Sequence, residues 1–190
     1  MKRKMTFVWA LFAILLFVAG CASTPVLRDG KPIPGALEEA ASEGRYSAVR
    51  QLLDAGASPE ETNKDGYTAL MGASFWGYNR VVLLLIERGA DVNKTVPYYG
   101  FTALMISAGE GRTDTVELLL EKGASIDQES LGGFTALTEA LKNNERSTAR
   151  LLLEKGASSA KAAASLRRNA SWDKTSVIGL ELLENLSRGK

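Results

Sequence analysis

The sequence has no histidine and only one cysteine in its 190 residues. The first absence removes the commonest general base and the commonest metal ligand, and a single thiol cannot form an intramolecular disulfide or a thiolate metal cage. The motifs GxSxG, GxxxxGKS/T and HExxH are also missing. We therefore predict no catalytic residue, no metal site, no cofactor and no enzymatic activity, and we interpret acidic pairs such as Glu38-Glu39 as solvated charge.

The chain also lacks an excess of either charge, because 23 Lys+Arg stand against 22 Asp+Glu. Nucleic-acid binding rests mainly on neutralising phosphates, so we expect no nucleic-acid partner. The distribution is uneven, however: residues 36–156 hold 12 basic and 18 acidic residues, a net charge of −6, and residues 157–190 hold 6 and 3, a net charge of +3. The acidic part slightly favours a basic partner, chiefly through the association rate.

The first residues have the features of an export signal. Lys2, Arg3 and Lys4 precede an uncharged apolar run over residues 5–20, which is followed by Cys21. The run is shorter than the roughly 20 residues of a membrane-spanning helix and matches a secretory signal peptide. The alternative is an uncleaved anchor with an incidental cysteine.

The segment VAGC at residues 18–21 resembles the lipobox of bacterial lipoproteins. The resemblance implies removal of residues 1–20 and lipidation of Cys21. Ala22 follows where an aspartate would retain such a protein at the inner membrane, so we expect the periplasmic face of the outer membrane, or the cell membrane in an organism with one membrane. Residues 21–34 carry three of the five prolines and no periodic apolar pattern, and we interpret them as a tether.

The rest of the chain repeats with a period of 33 or 34 residues. Gly-Ala pairs begin at residues 56, 89, 123 and 156, and the pentapeptides GYTAL, GFTAL and GFTAL begin at 66, 100 and 133. A Thr in each pentapeptide is placed to cap a short helix, over 69–75, 103–109 and 136–143. Gly77, Gly111 and Asn144 follow as residues that tolerate a left-handed conformation, and a second amphipathic helix then runs to the next Gly-Ala pair.

These units resemble the ankyrin repeat, which implies an all-α solenoid of four repeats with a helical C-terminal cap. We place the domain at residues 35–190, with repeats at about 30–63, 64–96, 97–130 and 131–157 and the cap at 158–187. The proline usual after the capping Thr is Ala69, Ala103 and Ala136. The histidine usual after the following Leu is replaced as well, so we expect a somewhat softer stack.

The resemblance implies binding of another protein through the hairpin tips and the exposed side of the first helices. Mapping those positions gives the candidate contact residues Tyr67, Phe75, Trp76, Tyr98, Tyr99, Phe101, Glu110 and Lys142. We expect the six aromatic members to form one patch, since aromatic side chains dominate interface energetics. For Tyr67 and Phe101 the alternative is packing along the hairpins, and for Tyr98 and Tyr99 it is simple loop packing.

These features together predict a monomeric, lipid-anchored, extracytoplasmic protein-interaction module. Two biological roles stay open: an inhibitor or immunity protein for a periplasmic toxin or enzyme, and a protective scaffold for such an enzyme. The alternative class is a structural envelope lipoprotein without a discrete binding hot spot.

Overall fold

The computed structural model describes residues 27–170 and 174–188, which form ten helices and one small hairpin. The predicted signal peptide and Cys21 lie outside the described residues. In the described part, no helix has the length and apolar character needed to cross a membrane.

A short antiparallel hairpin opens the described chain, with β1 at Leu27–Arg28 and β2 at Lys31–Pro32. Its turn residues Asp29 and Gly30 both have positive φ, 51° and 73°, as a tight type I′ turn requires. Leu27 and Ile33 pack against the core of the first repeat. The predicted tether is therefore wrong for residues 27–34, because the hairpin gives these apolar side chains a surface to cover.

Four short inner helices lie side by side and begin each repeat: α1 (Ala36–Ser42), α3 (Ala69–Trp76), α5 (Ala103–Gly109) and α7 (Ala136–Lys142). The predicted caps are confirmed for the last three, since the hydroxyl of each preceding Thr accepts a bond from the amide three residues later. The predicted boundaries agree with the structure to within one residue.

Four outer helices return antiparallel to the inner ones: α2 (Tyr46–Asp54), α4 (Asn79–Glu87), α6 (Thr113–Glu121) and α8 (Arg146–Glu154). The predicted left-handed residues between the helices are confirmed, with φ of 80° at Gly77, 66° at Gly111 and 63° at Asn144. The amphipathic prediction also holds, because each outer helix turns its buried apolar side chains onto its own inner helix.

The core is a set of columns in which equivalent positions of successive repeats carry the same apolar residue. Leu52, Leu85, Leu119 and Leu152 form one column and are fully buried. Burying each leucine contributes roughly 1.5–3 kcal/mol. The inner helices approach closely because small residues face their neighbours, as in the buried column Ala36, Ala69, Ala103 and Ala136.

The C-terminal pair, α9 (Ser159–Asn169) and α10 (Lys174–Arg188), ends the stack with a different geometry. Each outer helix after α2 packs on the outer helix of the repeat before it, whereas α10 packs mainly on α9 and on the inner helix α7. Gly179 allows this approach, since a Cβ there would lie 3.4 Å from the Leu141 backbone and 3.1 Å from Leu166. The pair covers the last inner helix, as a cap must.

Candidate functional site: the hairpin tips and the inner helix face

Tight hairpin-like loops precede α3, α5 and α7 and stack tip against tip. In two of them a polar side chain organises the turn: Asn63 accepts bonds from the amides of Asp65 and Tyr67, and Ser130 accepts one from the amide of Phe134. The middle loop, from Val96 to Phe101, is one residue longer than the others. The longer loop projects two tyrosines.

The tips of the second and third loops display the most exposed large apolar side chains of the described chain. Tyr98 is 78% exposed, Tyr99 57% and Leu131 75%. The amide of Leu131 donates to the carbonyl of Tyr99 (3.0 Å), so the two tips are joined directly. We call Tyr98, Tyr99 and Leu131 the hairpin-tip surface. Adjacent exposed apolar side chains of this kind mark contact sites on soluble domains.

Tyr67 and Phe101 lie beneath the tips and are half-buried against the core. The ring centroids of Phe101 and Tyr99 are 6.4 Å apart. The pKa of Tyr67 is raised, mainly by burial and to a smaller extent by the nearby Tyr99. These contacts match the packing alternative for Tyr67 and Phe101. Tyr98 and Tyr99, in contrast, are displayed rather than packed.

A second group lies at the opposite end of the inner helices. Phe75 and Trp76 end α3, with ring centroids 5.0 Å apart in an edge-to-face arrangement, and Trp76 is 38% exposed. The position equivalent to Phe75 in the next repeat is Gly109, and Glu110 follows it. We call Phe75, Trp76, Gly109 and Glu110 the inner-face surface.

The six aromatic residues therefore form two groups, and the predicted single patch is wrong. Tyr67, Tyr98, Tyr99 and Phe101 lie around the amino-terminal ends of the inner helices, while Phe75 and Trp76 lie at the carboxyl-terminal end of α3. A helix of eight residues is about 12 Å long, which separates the groups.

Glu110 is a half-buried carboxylate on the inner face. Burial raises its pKa, the nearby guanidinium of Arg112 acts in the opposite direction, and the charge of Glu145 adds to the increase. The Nε of Arg112 also donates to the carbonyl of Phe75 (3.0 Å), which links the third repeat to the inner-face surface. Glu110 thus lies in a polar, partly desolvated setting beside exposed aromatic surface.

Lys142 is less available to a partner than its position suggests. Its ammonium lies 4.0 Å from the ring centroid of Phe134 and 3.8 Å from a carboxylate oxygen of Glu139, and only 13% of its side chain is exposed. These contacts hold the lysine along its own repeat. The ammonium of Lys142 therefore interacts mainly with residues of its own repeat.

Two exposed residues were missed by the sequence prediction. Leu131 occupies the tip of the third loop, at the same place as the predicted tip residue Tyr98. Tyr78 is partly exposed, and its ring lies over Gly44 of the preceding repeat. The period itself would have identified Leu131, because it places a leucine where a loop tip requires no apolar residue.

The described residues contain no group of three or more His, Cys, Asp or Glu side chains arranged to hold a metal ion. The two surfaces offer aromatic side chains, an apolar tip and the carboxylate of Glu110. Such side chains are typical of surfaces that bind other proteins.

A family model described as Ankyrin repeats (3 copies) matches the chain in three overlapping windows, residues 20–96, 37–130 and 94–162. The chain belongs to the ankyrin-repeat family. The all-α solenoid predicted from the repeats is thereby confirmed, and ankyrin repeats generally mediate protein–protein interaction.

Curated relatives are similar to this chain over 54 to 58 residues. An ankyrin repeat-containing protein of Schizosaccharomyces pombe is 39% identical over 54 residues, which is 28% of this chain and 26% of the relative. The ankyrin repeat and KH domain-containing proteins of Drosophila melanogaster and Homo sapiens are each 45% identical over 58 residues, 30% of this chain and 1% and 2% of theirs. The chain thus matches about a quarter or less of each relative's length.

Proposed function

We propose that this ankyrin-repeat protein is a lipid-anchored, extracytoplasmic module that binds another protein. The hairpin-tip surface carries this proposal, because Tyr98, Tyr99 and Leu131 expose more than half of their apolar side chains at adjacent, hydrogen-bonded tips. The core leucines, such as Leu85 and Leu119, are fully buried, whereas the exposed side chains at the tips add nothing to the core. Aromatic side chains that become desolvated on binding contribute most to interface affinity.

The anchoring part of the proposal rests on the sequence before the described residues. The basic start, the apolar run over residues 5–20 and the single cysteine at 21 support a signal peptide followed by lipidation. Several acyl chains on one residue would hold the protein firmly at a membrane. Replacing Cys21 with serine should abolish incorporation of labelled palmitate and release the protein from the membrane fraction; unchanged labelling would contradict the lipid anchor.

The binding test is crosslinking of the membrane-anchored full chain in its own cells, followed by affinity capture and mass spectrometry. We expect one stoichiometric envelope protein, recovered at least tenfold less with the double variant Tyr98→Ser, Tyr99→Ser. The exposed residue Lys122, which follows an outer helix, provides a control, since Lys122→Ser leaves both surfaces intact. Equal recovery with both variants would favour the alternative, a structural envelope lipoprotein without a binding hot spot.

The captured partner then distinguishes the two biological roles that we propose. If the partner is a toxin or hydrolase and the purified chain suppresses its activity, the role is that of an inhibitor or immunity protein. If the chain preserves the activity of an envelope enzyme against heat or oxidation, the role is that of a protective scaffold. A partner whose activity and lifetime are unchanged would contradict both roles.

A further inference from the structure

One column of equivalent positions on the inner face combines acidic and aromatic side chains. Trp76 is the last residue of α3, and Glu43 and Glu110 directly follow α1 and α5. Because α3 packs against both neighbouring helices, and packed helices lie about 8–10 Å apart, Trp76 stands between two carboxylate-bearing positions.

The aromatic member of this column is partly exposed to solvent. Trp76 is 38% exposed, and the position equivalent to its neighbour Phe75 is Gly109, which has no side chain. The Nδ2 of Asn143 donates to the carbonyl of Gly109 (2.8 Å), which satisfies the backbone there. The space beside Gly109 is taken by the side chains of Asn143 and Glu139, so a partner side chain would lie on the exposed part of Trp76 itself.

The charge of the inner face is predominantly negative. The four inner helices and the residue after each contain five glutamates, and Lys142 is their single basic residue, which gives a net charge of −4. Lys142 lies against Phe134 and Glu139. Of the two carboxylates in the column, Glu43 already pairs with Arg45.

A further cation would stabilise Glu110 more than Glu43. It is half-buried, and its pKa is raised by that burial despite the neighbouring Arg112. Arg112 is also engaged by the carbonyl of Phe75. An apolar partner group placed over this carboxylate would desolvate it further without compensation, whereas a guanidinium would stabilise it.

We propose that the column formed by Glu43, Trp76 and Glu110 binds an arginine side chain displayed by the protein partner. The guanidinium stacks on the exposed ring of Trp76 and donates hydrogen bonds to the carboxylate of Glu110. Arginine suits this place better than lysine, because its planar, weakly hydrated group both stacks on an aromatic face and pairs with a carboxylate in a fork geometry. This inference rests on the proposed function and specifies the partner's chemistry.

The test selects ligands without knowledge of the partner. The full chain in non-ionic detergent is immobilised and used to select binders from a phage-displayed library of random peptides, and the selected peptides are then synthesised. We expect arginine to be enriched at one position of the selected peptides. Replacing that arginine with citrulline, which keeps the shape and removes the charge, should weaken binding at least tenfold.

Variants of the protein assign the effect to the column. Trp76→Ala and Glu110→Gln should each weaken binding of the arginine peptide about tenfold or more, while Glu121→Gln, an exposed acid on the outer helix α6, should have no effect. With the citrulline peptide, Glu110→Gln should cause little further loss, because the paired charge is already gone. Far-UV circular dichroism of each variant verifies that the helices are retained.

Two results would overturn the inference and are distinguishable from each other. If selected peptides bind through apolar residues alone, and their affinity falls with Tyr98→Ser but not with Trp76→Ala, the arginine site is wrong while the proposed function stands. If no peptide and no captured protein binds at all, the proposed function fails and the arginine site fails with it.

Discussion

Replacing Gly100 with alanine tests whether neighbouring hairpin tips stabilise each other by direct contact. Gly100 has a φ of +72°, and a Cβ there would lie 2.7 Å from the backbone nitrogen of Leu131. That nitrogen donates to the carbonyl of Tyr99. An alanine must therefore adopt a left-handed conformation, at about 1 kcal/mol, and also displace the tip that follows.

The cost of displacing the neighbouring tip can be separated from the cost of the left-handed backbone by a control glycine that has no close neighbour. Breaking the hydrogen bond of Leu131 removes about 0.5–1.5 kcal/mol, so we expect Gly100→Ala to lower the free energy of unfolding by about 1.5–2.5 kcal/mol in all. Gly123 has a similar φ of +89°, but nothing lies within 4 Å of the position that a Cβ would take there, so Gly123→Ala should cost only about 1 kcal/mol.

Urea unfolding of the full chain in non-ionic detergent, followed by far-UV circular dichroism, measures both values. Amide hydrogen exchange provides a local readout, since the amide of Leu131 should exchange faster in Gly100→Ala and stay protected in Gly123→Ala. Equal losses of stability in the two variants, with unchanged exchange at Leu131, would refute the contribution of contact between the tips.

The core, the caps and the inner face each give a further prediction. Leu119→Ala, at a fully buried position, should destabilise the fold by about 2–5 kcal/mol in urea unfolding, and a smaller loss would show that the column collapses around the cavity. Thr102→Ala removes the hydroxyl that accepts a hydrogen bond from the amide of Met105 and should lower the free energy of unfolding by about 1 kcal/mol. Thr102→Ser should retain most of the stability. Burial raises the pKa of Glu110, so the folded state favours the protonated acid, and its contribution to stability is present at low pH and lost as pH rises through the raised pKa. Glu110→Gln should accordingly be more stable than the parent at about pH 8 by urea unfolding, with the gap closing as the pH falls to about 4; a constant gap would contradict this linkage.

The repeat itself was predictable because its determinants are local. A threonine before an apolar segment satisfies amides of the first helical turn, and this requires only residues within one turn of Thr68, Thr102 and Thr135. The left-handed residues Gly77 and Asn144 likewise act through their own backbone. A fixed period then carries each local solution to the next unit.

The features that the sequence did not reveal depend on residues outside their own short segment. Leu27 and Ile33 were assigned to a tether because their proline-rich surroundings show no period, although Asp29-Gly30 is a strong turn signal. Their burial becomes visible only when the first repeat supplies a surface. The direction of Lys142 similarly depends on Phe134, which belongs to the preceding loop.

Residues at equivalent positions of successive repeats are alike in the core but differ on the two surfaces. Folding requires the same residue at equivalent positions, as in the buried column that contains Leu85 and Leu119, because every repeat must bury the same face. At the tips and at the ends of the inner helices the equivalent positions differ in charge, size and aromaticity, and Trp76 follows Glu43 in one such column. Since the stack forms without a constant residue at these positions, folding does not require a particular side chain there, and the exposed part of a tryptophan or tyrosine adds no buried surface to the core. Departures from the period at exposed positions therefore point to the proposed recognition surface, whereas the period itself is shared by every repeat and identifies the scaffold.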